Sequence, residues 1–191
     1  MDAPEVRRYR RQLLNLVQGL RRHKMIGVEV GVAVGATSAL LLERFANLTL
    51  FMVDTWASFP EGCAYRETGD KRSRLTDEEQ TNRMLAAEQA VAFAAERAFI
   101  IKLPSVSASQ AFVHKADFVF IDGSHAYRDV RDDLDAWWPK LSPRGLFCGH
   151  DYSFNNTKFA GVKQAVDQFF ESKKLLLNFS SETAIWWGYK P

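Results

Sequence analysis

Cysteine is scarce in this chain of 191 residues: Cys63 and Cys148 stand far apart, with no Cys-x-x-Cys and no Cys/His cluster. That excludes a disulfide framework and a cysteine-type zinc site, and makes a reducing cytoplasm the expected compartment. Charge of one sign is also missing, since 25 Lys and Arg face 23 Asp and Glu for a net charge of +2. A general nucleic-acid binder would carry a basic excess, so no nucleic-acid partner is expected and any basic site must be local. Long hydrophobic runs are absent too. The longest uncharged apolar stretch, Val30 to Leu42, holds two glycines and falls short of the roughly 18 residues of a membrane span. The charged start, with arginines following, lacks the apolar region of a secretory signal, so no membrane partner is expected. No repeat or low-complexity segment occurs, and the six prolines are scattered. What is present, 47% hydrophobic residues, suits a single globular domain over 1–191 with one proper core.

Asp2, Pro4 and Glu5 read as a helix start, and Val6, Tyr9, Leu13, Val17 and Leu20 recur at helical spacing. An amphipathic helix is expected over Ala3 to about Arg22, within an N-terminal stretch of residues 1–24. Its other face carries Arg7, Arg8, Arg10, Arg11, Arg21 and Arg22, read as a solvated face or as a patch toward an anionic acceptor or a second subunit. Gly27 to Gly31 reads as a strand and a glycine turn, with a helix from about Thr37 to Phe45. Leu48 to Asp54 is a nearly continuous apolar strand, as a parallel strand buried on both faces requires. Residues 55–77 are polar and irregular and lead into an alanine-rich helix near Glu78 to Arg97. Further strands are expected at Phe99–Leu103, Asp117–Asp122 and Leu146–Asp151, the last preceded by turn chemistry at Ser142-Pro143-Arg144-Gly145. Helices are expected at Ser105–Val113, Tyr127–Trp138 and Gly161–Ser172. Leu175–Phe179 and Ala184–Tyr189 read as a closing hairpin, and one tryptophan of each pair, Trp137/Trp138 and Trp186/Trp187, should face the core.

Alternating strands and helices imply an α/β fold, a Rossmann-like doubly wound and mostly parallel sheet of seven strands with a C-terminal antiparallel hairpin. Ligands bind such sheets outside the carboxyl ends of the strands, at the point where strand order reverses. Asp54, Asp122 and Asp151 all stand at those ends. The turn from Glu29 through Gly31, Ala33 and Gly35 to Thr37 places small residues where backbone can approach a ligand, and the following helix N-terminus can meet polar or anionic groups. Asp54, 23 residues after Gly31, is placed to accept hydrogen bonds from ribose hydroxyls. Turn and acid together argue for a nucleoside ligand without saying which.

Five segments in order, Val28-Glu-Val-Gly-Val-Ala-Val-Gly35, Val53-Asp-Thr-Trp56, Phe118-Val-Phe-Ile-Asp-Gly-Ser-His-Ala-Tyr127, Trp137-Trp-Pro-Lys-Leu-Ser-Pro-Arg-Gly145 and Gly149-His-Asp-Tyr152, resemble class I S-adenosylmethionine-dependent methyltransferases. The likeness is to the small-molecule subgroup that includes sugar and antibiotic O-methyltransferases, and it spans Gly27 to Tyr189. The resemblance implies that Glu29, Gly31, Ala33 and Gly35 shape the methionine and ribose end of an S-adenosyl-L-methionine pocket. It also implies that Asp54 holds the ribose, that Trp56 and Ser105 lie near the adenine, and that Asp122 borders the site. The family usually has glycine where this chain has Ala33.

Several members of the subgroup bind a divalent cation through acids that match Asp122 and Asp151. Hard oxygen ligands suit Mg2+, which could orient an acceptor oxygen and lower its pKa. This chain departs from the metal-dependent pattern at His150 and Ser124, where relatives often carry acids; His150, Asn155 or Asn156 are the candidate extra ligands. His125, with a pKa ordinarily near neutrality, is the candidate base besides Asp122. The expected activity is methyl transfer to an oxygen, less readily a nitrogen, of a small molecule. An NAD(P)-dependent oxidoreductase on a related sheet and a non-catalytic cofactor-binding relative stay open as alternatives. Nearly all the length is cofactor fold, which leaves the N-terminal arginine helix, the irregular insertion at residues 55–77, expected near the active site, and the loop after Tyr152 to select an acceptor; a compact acceptor, or a site completed in a homo-oligomer, is expected.

Overall fold

The computed structural model describes residues 4–153 and 159–191, with side chains from Arg8 onward. Seven strands form one sheet: β1 (Met25–Val30), β2 (Leu48–Asp54), β3 (Ala98–Lys102), β4 (Ala116–Ile121), β5 (Leu141–Gly149), β6 (Asn178–Phe179) and β7 (Trp186–Tyr189). Their order is β3-β2-β1-β4-β5-β7-β6. The first five run parallel, whereas β7 is antiparallel to both β5 and β6. The expected sheet and closing hairpin are therefore both present. Strand order reverses between β1 and β4, where the glycine turn leaves the sheet.

Seven α-helices flank it: α1 (Pro4–Gln18), α2 (Ala36–Arg44), α3 (Ala64–Glu67), α4 (Asp77–Val91), α5 (Ser105–Ala111), α6 (Tyr127–Trp137) and α7 (Ala160–Ser172). Alternate residues of each central strand feed two different cores. Val28, Val30, Val119, Ile121 and Phe147 meet α5, α6 and α7 through Ala108, Leu134, Trp137, Val166 and Phe170. Leu50, Met52, Phe118, Phe120, Leu146 and Cys148 meet α1, α2 and α4 through Leu13, Val17, Leu41, Leu42 and Ala87. This period of two on strands buried on both sides accounts for their unbroken apolar runs. Trp137 and Trp186 are the fully buried members of their pairs.

Several boundaries differ from expectation for physical reasons. α1 ends at Gln18 rather than near Arg22, as Gly19 follows and Arg21 takes a left-handed φ of 49°; Asp2, the expected cap, lies outside the described residues. α4 begins one residue earlier, under a capping box in which Thr76 accepts from the Glu79 amide and Glu79 Oε2 accepts from the Thr76 amide. It stops at Val91, after which residues 92–97 continue as 3-10 turns broken at Ala95. The Ser142-Pro-Arg-Gly145 turn lies inside β5 as a bulge: pairing with β4 jumps from Ala116↔Leu141 to Phe118↔Leu146. None of the helices is long and apolar enough to cross a membrane among the described residues.

Candidate functional site

The carboxyl edge of the sheet opens into a cavity of about 570 Å³, within the usual range for small-molecule sites. Its floor is the turn after β1. Gly31 has φ 88°, and a Cβ there would stand 2.2 Å from the Asp122 carbonyl oxygen, so only glycine lets β1 and β4 part this closely. Ala33 also takes a left-handed φ, 56°, without being glycine. Two neighbours hold it there. Its N–H donates to Asp54 Oδ2 at 2.9 Å, and its carbonyl accepts from Trp56 Nε1 at 2.8 Å. Asp54 Oδ1 in turn accepts from the Trp56 amide at 3.0 Å. Each Asp54 oxygen thus receives one backbone N–H, leaving acceptor capacity toward the cavity that Asp54 lines.

Glu29, Gly31, Ala33, Asp54, Ser105 and Asp122 all line this one cavity. Glu29 is 1% exposed and accepts from Ser38 Oγ on α2. Burial pushes its pKa up to about 8, with Asp122 and Asp54 adding to the rise and Arg10 opposing it. Ser105 accepts from Trp137 Nε1 at 2.9 Å, which fixes its hydroxyl at the cavity wall. Beside it stands Asp133, 7% exposed, whose pKa burial raises to about 7. Trp56 corrects an expectation. Its ring is 1% exposed inside the second core and does not line the cavity; it shapes the turn from beneath. Gly35 likewise sits behind the lining, where a Cβ would stand 2.9 Å from the Ala87 Cα of α4.

Asp122, His150 and Asp151 also converge, with ligand atoms all within 4.8 Å of one another. His150 Nδ1 lies 3.2 Å from Asp151 Oδ1 and 3.5 Å from Asp122 Oδ1, and its ring packs on Tyr9 at 4.3 Å. Burial alone would depress His150, but the two carboxylates outweigh it and carry its pKa to about 10. His125 is enclosed more tightly, at 4% exposure. Its Nε2 lies 2.7 Å from Asp151 Oδ2 and its Nδ1 lies 3.1 Å from Asp70 Oδ2, the second an ion-pair distance without good hydrogen-bond direction. Here too burial works downward, and the two acids raise the imidazole to about 9. Asp70 and Asp151 are burdened by burial yet held well below the ordinary carboxylate range by these partners. Both ring nitrogens of His125, the expected base, face carboxylates, an arrangement that favours the charged imidazole and lets the ring brace the two acids. Asn155 and Asn156, the other candidate ligands, lie outside the described residues.

Several lining residues carry no motif of their own. α1 crosses the mouth: Arg10 Nε donates to Thr37 Oγ1 at 3.1 Å, and Tyr9 Oη lies 3.3 Å from the same atom. Of the two readings of the arginine face, solvated or turned toward an acceptor or second subunit, Arg10 fits neither simply, since it lines the cavity beside the apolar stripe through Tyr9 and Leu13. Residues 55–77 supply Phe59, Cys63, Tyr65 and Arg72, and α6 supplies Asp129, Asp132 and Asp133.

The family described as "Methyltransferase domain" matches residues 28–152. The chain belongs to that methyltransferase family. The matched span runs from β1 through the turn after β5 and so contains both the glycine turn and the acidic edge; the nicotinamide alternative loses its support. The uncharacterized protein y4gI of Sinorhizobium fredii is 31% identical over 143 residues, covering 71% of this chain but only 14% of that protein. Among solved structures, the O-methyltransferase NovP superposes with a TM-score of 0.69 at 18% identity, over 97% of this chain and 79% of its own. The N-methyltransferase NodS from Bradyrhizobium japonicum WM9, in complex with S-adenosyl-L-homocysteine, gives 0.65 at 14% identity, over 100% and 89%. Oxygen and nitrogen methyltransferases thus share this methyltransferase fold.

Proposed function

We propose that the chain transfers a methyl group from S-adenosylmethionine to an oxygen of a small molecule. The observation that carries this reading is the convergence of Glu29, the Gly31–Ala33 turn, Asp54 and Asp122 on one cavity at the strand-order reversal. These residues fit the donor chemically. Asp54 has acceptor capacity for ribose hydroxyls, and a wall holding the carboxylates of Asp54 and Asp122 favours a cationic ligand. When bound, S-adenosylmethionine supplies a methyl group on a cationic sulfur. The chain's own part is to orient acceptor and donor and to manage one proton. Asp122 faces the cavity with His150 behind it, so its carboxylate can hold an acceptor hydroxyl and take the proton as the carbon–oxygen bond forms. That role suits an oxygen acceptor, whose hydroxyl proton must leave as the new bond forms.

Mg2+ does not fit the side chains as they stand. Asp122, His150 and Asp151 come together, but one of the three donors is an imidazole nitrogen, and both Asp151 oxygens already face histidines. Mg2+ demands near-octahedral oxygen ligands, and the place of positive charge between Asp122 and Asp151 is taken by His150. Calorimetry with S-adenosylhomocysteine tests the reading: the folded protein should bind it, and Asp54→Ala should bind markedly less. Absence of binding by the folded wild type would refute it.

A further inference from the structure

We propose that Asp70 is a positioning residue which, through His125, latches the wall formed by residues 55–77 onto the sheet edge, and that release of this latch opens the cavity. The wall is a flap with a closed base, for the Ser58 amide donates to Asp77 Oδ1 at 2.7 Å where α4 begins. Inside the flap, α3 is flanked by Gly62 and Gly69, each at φ +75° with nothing within 4 Å of a built Cβ. Those torsions come easily to glycine alone, and no packed neighbour resists a change in them.

α3 carries Tyr65 inward, and its hydroxyl donates to Asp70 Oδ2 at 2.9 Å. Asp70 Oδ1 accepts from the Arg72 amide at 2.9 Å and Arg66 donates to the Phe59 carbonyl, so these bonds keep the flap in shape without tying it to the sheet. For residues 59–75, among the described residues, the polar link to the rest of the protein runs through one group, the Asp70–His125 pair at 3.1 Å. His125 is itself anchored to Asp151 at 2.7 Å, and the Tyr65 ring meets it edge-on, with centroids 5.7 Å apart at 89°. Phe59, Cys63, Tyr65, Arg72 and Leu75 line the cavity. Lifting the flap therefore removes one side of it, and the latch sets how fast a bound molecule leaves.

The identity of that molecule rests on the function proposed above; the latch itself does not. The experiment compares wild type, Asp70→Asn and Tyr65→Phe by native-state trypsin cleavage and by the release rate of S-adenosylhomocysteine. In Asp70→Asn, cleavage after Arg66, Lys71, Arg72 and Arg74 should rise about tenfold relative to cleavage after Arg97 and Lys140, which report global opening. Release should quicken by a similar factor, and methyl-transfer KM should rise more than kcat falls. Tyr65→Phe should move each readout less, in the same direction. Cleavage that is unchanged, or that rises alike at both sets of sites, overturns the latch; release at the wild-type rate overturns the gate. Failure of the wild type to bind S-adenosylhomocysteine would refute the proposed function and leave the cleavage ratio to decide the latch.

Discussion

Replacing Glu29 by glutamine should make the protein more stable and poorer at its task. Glu29 is 1% exposed and its carboxyl accepts from Ser38, too little to offset burial, so the folded state resists its ionisation up to a pKa of about 8, against an ordinary 4.5. Between those values the folded chain binds a proton that the unfolded chain has released, and stability falls as pH rises. At 1.36 kcal/mol for each pH unit, the penalty grows from near nothing at pH 4.5 to about 3 kcal/mol at pH 7 and about 4 kcal/mol at pH 8. Glutamine matches the shape of the neutral acid and carries no such penalty. Other groups bend the same curve: Asp133, raised to about 7, acts in the same sense. His125 and His150, raised to about 9 and 10, contribute stability below their unfolded pKa that is lost as pH climbs through those values. The difference between wild type and Glu29→Gln cancels them. Urea unfolding at pH 5, 7 and 8 should show the two proteins within about 1 kcal/mol at pH 5 and separated by several at pH 8, at unchanged m-value. A cationic ligand favours the ionised acid, so the variant should bind S-adenosylmethionine, with its positive sulfur, more weakly. Parallel curves, or a variant less stable at pH 8, would refute the reasoning.

Asp54→Ala removes acceptors from two backbone amides as well as from the cavity, so a loss of binding of about 10- to 100-fold, from one or two charge-assisted hydrogen bonds, should come with a measurable fall in thermal midpoint. Ala33→Gly relieves a left-handed conformation costing roughly 1–2 kcal/mol in an L-residue, against about 0.4–1 kcal/mol of added unfolded-state entropy; calorimetry should show a midpoint no lower than wild type, and a clear drop would contradict this balance. Arg97 donates to the carbonyls of Leu42, Phe45 and Leu48, joining the end of α2 to the start of β2, and Arg97→Ala should lose about 2–3 kcal/mol in urea unfolding. Methyl transfer should survive exhaustive chelation; activity lost to chelator and restored by Mg2+ would show that an ion displaces the His150 proton.

Much of this architecture was legible in the sequence because central parallel strands have so few alternatives. Leu48 to Asp54 is apolar on both faces and ends on an acid, and the structure places β2 at those same limits. The glycine turn and the strand-end acids were visible as well, because backbone approach and chain reversal each demand particular residue types. What stayed hidden was whatever depends on a neighbour distant in sequence. Asp70 has no local signature, and its meaning comes from His125, which topology brings beside it. The resemblance set Trp56 near the adenine, but its left-handed φ of 40° turns it beneath Ala33. The Ser142–Gly145 turn was read correctly as chemistry and misplaced as architecture, since β4 pairs on both sides of it.

The position of β7 has a consequence for how the chain assembles. It is the seventh strand in sequence, yet it is interior, bonded to β5 on one side and β6 on the other. Growth of the sheet in the order of synthesis would therefore leave β5 with an open edge, Leu146 to Gly149, until Trp186 to Tyr189 slides in, carrying Trp186 into the core. Exposed strand edges recruit foreign strands, and pairings remote in sequence form late. The moment of greatest aggregation risk thus falls just before completion, when nearly every other element has already found its partner.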